Sequence, residues 1–144
     1  MNAIDLYDSD FAEWAQRNAE LLRSGRADEA DLGHIAEEIE DMGKRERRGL
    51  HNRLVRLIEH LLKWNLQPER RGAGWGRTIV IQRRAIKRLL KENPSFNAAF
   101  DDVIAEAYDD AVAIVAAVLR RSRADFSATC PYSRPNLLDE EFFG

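Results

Sequence analysis

Three histidines, a scatter of carboxylates and a dense run of arginines are the side chains of this sequence that could do chemistry. His34 stands three and four residues before Glu37 and Glu38, so the three project from neighbouring turns of one helix. A neutral imidazole and carboxylates so placed can share a divalent metal. All three fall away from the apolar stripe of Leu32, Ile35 and Ile39, and no second His–Glu pair completes a two-metal site. The spacing therefore reads as an exposed acidic face, with no metal or cofactor expected. Cys130 is the single cysteine. It precedes Pro131 in an irregular stretch and reads as a packed thiol in a reduced, cytoplasmic setting.

His60 lies one turn before Trp64, at the edge of an apolar stripe, where an imidazole is a candidate base. Glu46 and Arg47 project toward the apolar side of the same helix. Gln82 and Arg83 do so on the next one. Charged groups turned toward a core must be paired or reach water. One reading is an internal polar network. The other is a polar pocket, with Trp64 or Trp75 as its wall and arginine for an anionic ligand. A short loop at 68–74 makes the two helices antiparallel neighbours. At 1.5 Å per residue, Glu46 and Gln82 then differ in height by roughly 20 Å. The expectation is that His60, Trp64, Trp75 and Arg83 cluster, while Glu46 and Arg47 pair elsewhere, with the acidic flanks.

Charge is segregated along the chain. Residues 1–43 carry 3 basic and 12 acidic side chains, residues 44–91 carry 15 and 3, and residues 92–144 carry 4 and 10. The middle block includes Arg70, Arg71 and Arg77, and clustered cations of this kind suit a phosphate backbone or an acidic protein. No helix-turn-helix or zinc-finger pattern accompanies them. Neutralisation by the acidic flanks is the competing account.

The elements that position these groups are helices. Leu32, Ile35, Ile39, Met42, Leu50, Leu54, Leu57 and Leu61 recur at steps of three and four, which marks a long amphipathic helix over 31–66. Gly43 and Gly49 are soft points in it, so a kink or break at Gly43, giving two shorter helices, is the alternative. Before it, Asp8 or Ser9 caps a helix whose inner face is Phe11, Trp14, Ala15, Asn18, Leu21 and Leu22, ended by Gly25. Asp31 caps the long helix. A third runs from about Trp75 to Glu92, with Gln82 inward. A fourth opens at Phe96, and its alanine- and valine-rich end, Ala111 to Leu119, is expected to be buried on more than one side. After Asp125 the periodicity fails, and Leu137, Leu138, Phe142 and Phe143 suggest a tail over the bundle. Hydrophobic residues are 44% of the 144, enough for a packed core. No apolar run is long enough to cross a membrane. The fold class is all-α: one domain over 1–144, a compact bundle of four main helical regions with an irregular tail at about 125–144.

Leu6-Tyr7 with Asp10-Phe11 and Trp14, Glu37-Glu38-Ile39-Glu40 with Met42-Gly43, and His60-Leu61-Leu62-Lys63-Trp64 with Gln67-Pro68 form ordered blocks. Trp75 with Thr78-Ile79 and Gln82-Arg83, Pro94-Ser95, and Cys130-Pro131-Tyr132 with Leu138-Asp139 continue them. Together they resemble the bacterial domain-of-unknown-function family numbered twenty-nine. The resemblance implies an all-helical bacterial domain and no catalytic or cofactor residues. Binding rather than catalysis is the expected role. The basic block meets an acidic protein or a nucleic acid, and homo-oligomers are compatible with this. The alternative is a small-ligand protein or enzyme with a pocket near His60, Trp64, Trp75 and Arg83.

Overall fold

A computed structural model describes residues 2–144. Six helices occur in the order α1 (Leu6–Ser9), α2 (Phe11–Arg23), α3 (Leu32–Leu66), α4 (Ala73–Glu92), α5 (Phe96–Leu119) and α6 (Arg134–Leu138), with no strand among the described residues. The chain forms two compact units, one ending at Arg45 and the other Glu46–Gly144. Helix α3 contributes to both.

In the first unit, local chemistry sets the helix ends. The cap of α2 is Asp10, whose side chain accepts from Glu13 N at 3.1 Å. Asp8 and Ser9, expected as caps, instead fall in the short α1. At the other end, Gly25 takes φ +75°. Gly25 N donates to Leu22 O and Arg26 N to Leu21 O, at 3.2 and 2.8 Å. This is the paired closure that a left-handed glycine permits. Trp14 and Asn18 are buried on the inner face as expected, but Phe11 and Leu22 are exposed.

The long helix runs unbroken through Gly43 and Gly49. Two glycines cost about 1 kcal/mol each against alanine, too little to interrupt a helix of 35 residues whose later half is anchored by packing. Its apolar stripe is buried only in part. Leu50, Leu54, Leu57 and Leu61 are at most 1% exposed, whereas Leu32, Ile39 and Met42 are 53–63% exposed. Periodicity marks a face, and a cover for it must come from another element.

The second unit holds the main core. Leu54, Leu57, Ile58 and Leu61 of α3 pack with Ile79 and Ile86 of α4, with Phe100, Ala107, Tyr108, Val112 and Val115 of α5, and with Leu137 of α6. The end of α5 is covered on one side only, since Ile114 and Val118 are exposed. Beyond α5 the tail is held by side chains gripping its backbone. Tyr108 Oη donates to Ser127 O at 2.7 Å, and Arg123 Nη1 donates to the same oxygen at 2.9 Å. Leu137, Phe142 and Phe143 of the tail pack on the core.

Candidate anion-binding face

Helix α4 shows two faces of opposite character. Its inner side buries Ile79, Ile86 and Leu90 together with Gln82 and Arg83. Arg77, Arg84, Arg88 and Lys91 follow one another at steps of seven, four and three residues, so they share a single stripe. All four are exposed. Val80 and Ile81 fall within that stripe and are 42% and 46% exposed. The outer face of α4 is therefore both basic and apolar.

A second basic feature lies between α3 and α4. Gly49, Asn52, Arg53, Arg56 and Gln82 line a groove of about 310 Å³. Arg53 Nη1 donates to Gln82 Oε1 at 3.2 Å, which holds one guanidinium in place while Arg56 stays exposed. Guanidinium forks with carboxamide donors beside them suit carboxylate or phosphate oxygens.

Little of this charge is neutralised internally. Among the described residues, the Lys and Arg side chains of 44–91 in ion pairs are Lys63 with Glu59, at 2.8 Å, and Lys87 with Glu140, at 3.7 Å, and His51 Nε2 lies 2.8 Å from Asp110 Oδ2. Glu46 accepts from Asn93 Nδ2 at 3.2 Å and Arg47 lies over the Phe96 ring at 6.0 Å, so neither pairs with an acidic flank. The second unit contains 17 Lys and Arg against 13 Asp and Glu, and the first, through Arg45, 5 against 12.

A family model described as Domain of unknown function DUF29 matches residues 6–143. The chain belongs to this family. No curated protein and no solved structure matches it. The DUF29 match takes in the Arg83 region, the tail and the first unit alike.

Within this DUF29 domain, Arg83 is the largest fully buried side chain, 1% exposed. Its Nε donates to Leu137 O and its Nη2 to Phe142 O, both at 2.8 Å. Burial lowers its pKa from the usual arginine value, opposed by the nearby Asp139 and Glu140 carboxylates. The other residues expected to join it make their contacts separately. His60 Nδ1 donates to Arg56 O at 2.8 Å, inside its own helix. Trp64 packs on Phe143 at a centroid distance of 5.1 Å. Arg71 donates to Trp64 O at 2.7 Å and lies over its ring at 5.4 Å. Trp75 is half-buried, and Arg70 and Arg77 are exposed. The structure thus joins Arg71 to Trp64, and Arg83 to the tail.

The first unit contains an arrangement that the sequence reading missed. His34 Nδ1 lies 2.6 Å from Asp31 Oδ2, not against Glu37 or Glu38. Trp14 Nε1 donates to the same carboxylate oxygen at 3.0 Å, and Asn18 Oδ1 accepts from Asp31 N at 2.8 Å. Tyr7 stacks on the imidazole and donates to Glu38 Oε1 at 2.5 Å. That bond pushes the Tyr7 pKa up to about 12. The Asp31 bond raises that of His34. Burial works against ionising Asp31, but the His34 and Trp14 donors outweigh it and its pKa falls. The signal available was the Asp-x-x-His spacing at the start of α3, since a capping aspartate faces the third residue of its helix. Among the described residues, no three His, Cys, Asp or Glu side chains gather as a metal set.

Proposed function

We propose that this protein is a binding module whose basic face, in the unit Glu46–Gly144, takes an acidic segment of another protein. The observation that carries the reading is the α4 stripe, in which exposed Val80 and Ile81 sit among Arg77, Arg84, Arg88 and Lys91. Apolar side chains embedded in a cationic stripe suit an amphipathic helix with acidic flanks. A phosphate backbone offers such apolar groups nothing. The acidic blocks elsewhere in the chain also oppose a long polyanion, and the net charge is −3. The Arg53–Arg56 groove, with Arg70 and Arg71, extends the cationic surface available to such a partner. A bacterial, cytoplasmic setting belongs to this reading.

Fluorescence anisotropy with a labelled amphipathic peptide rich in Glu and Leu, beside a DNA duplex of equal charge, tests the proposal. The peptide is expected to bind more tightly at about 150 mM salt, with binding weakened as salt rises. Tighter binding of the duplex would favour a nucleic-acid partner and overturn the reading.

A further inference from the structure

Arg83 has a feature that its tail contacts leave unanswered. It is fully buried, both of its hydrogen bonds go to neutral backbone carbonyls, and its Nη1 is buried without a partner. Among the described residues no carboxylate lies within ion-pair distance of it. Asp139 and Glu140 act on it only from beyond that distance; a buried guanidinium with an idle donor and no directly bonded carboxylate is costly, and proteins normally answer such a charge with a contacting anion. Next to it is a pocket of about 200 Å³ lined by Val80, Arg83, Arg84 and Glu140. Arg84 brings a second guanidinium to the wall. Glu140 is turned to Lys87, 3.7 Å away.

We infer that this pocket is an oxoanion site, in which one carboxylate or phosphate group is held between Arg83 and Arg84. Arg84 offers the parallel N–H pair that these groups accept, and Arg83 adds its Nη1 donor once the side chains that now cover it move aside. The volume suits a small anion or the head of one acidic side chain. Glu140 acts as the gate charge: it repels an incoming anion and is drawn off by Lys87. The pocket opens among residues of the α4 stripe, yet the inference rests on the unpartnered Nη1 of Arg83 beside that pocket and stands without any protein partner.

The Arg83 Nε–H resonance reports the site directly, because its bond to Leu137 O protects it from exchange. Inorganic phosphate, sodium acetate and a capped tetraglutamate peptide are titrated into the full chain, with sodium chloride at matched ionic strength as the control. A saturable shift with phosphate or acetate is expected, weakened at least tenfold in Arg84→Gln and strengthened in Glu140→Gln. Saturation by the peptide alone would assign the pocket to a partner's carboxylate. Shifts that match chloride in all three titrations would overturn the inference. So would loss of fold stability in Glu140→Gln with no anion response, which would make Glu140 itself the counter-ion. Failure of the stripe to bind acidic peptide, with phosphate still saturating, would leave the pocket standing and remove only the partner.

Discussion

Tyr7 lies flat on His34, with ring centroids 3.8 Å apart and planes within 8°. The ring beneath it is fixed at its edge by Asp31, 2.6 Å from Nδ1. Stack, imidazole, buried carboxylate and Trp14 indole thus lock α1, α2 and the start of α3 together. The sandwich makes the first unit sensitive to pH, and the sign follows from the two pKa shifts. The raised pKa of His34 stabilises the fold fully below its unfolded value, about 6.5. That contribution is lost as pH rises through the higher folded value. The lowered pKa of Asp31 acts in the opposite range, present above about 3.9 and lost as pH falls through its folded value. The His34 ring signal followed by NMR should titrate above 6.5, and in Asp31→Asn it should return toward or below that value. An unshifted titration in the unaltered chain would contradict the account.

The buried and exposed halves of the α3 stripe should respond differently to truncation. Leu54 is fully buried, so Leu54→Ala should cost about 2–5 kcal/mol. Met42 is 60% exposed, so Met42→Ala should fall within about 0.5 kcal/mol of neutral. Urea unfolding of the two variants measures both. A loss above about 2 kcal/mol for Met42→Ala would show that its face is covered.

The contact of Arg83 with Leu137 and Phe142 should latch the tail. Arg83→Met removes both donors and leaves two carbonyls to find other partners, each costing about 1–3 kcal/mol if buried and unpaired. Limited proteolysis should then cut first beyond Ala128, at rates well above those of the unaltered chain. Equal protection of the tail in both proteins would show that packing of Leu137 and Phe143 alone retains it.

Helix phase made much of this legible. Gln82 and Arg83 lie on the inner side of α4 because their spacing from Ile79 and Ile86 puts them there, and Asn18 follows Trp14 inward for the same reason. Arg83's partners were hidden, since backbone carbonyls of residues 137 and 142 carry no signature in residue type. Height arithmetic puts His60 and Trp64 level with Arg83, but it carries no record of which carbonyl each side chain bonds, Arg56 O for His60 and the tail for Arg83. The exposure of Ile39 and Met42 was invisible for another reason. A stripe is written in one helix, and its cover in some other element.

The central claim is that the α4 stripe binds an acidic amphipathic partner, and reversing its charge tests that most directly. Arg77, Arg84 and Arg88 are exposed, so replacing all three by glutamate should leave the melting temperature within a few degrees of the parent. The same change should weaken binding of the Glu- and Leu-rich peptide by at least about a hundredfold at low salt, because attraction becomes repulsion along the whole stripe. Val80→Ser should weaken it further without altering the salt dependence. Unchanged peptide affinity in the folded triple variant would contradict the account.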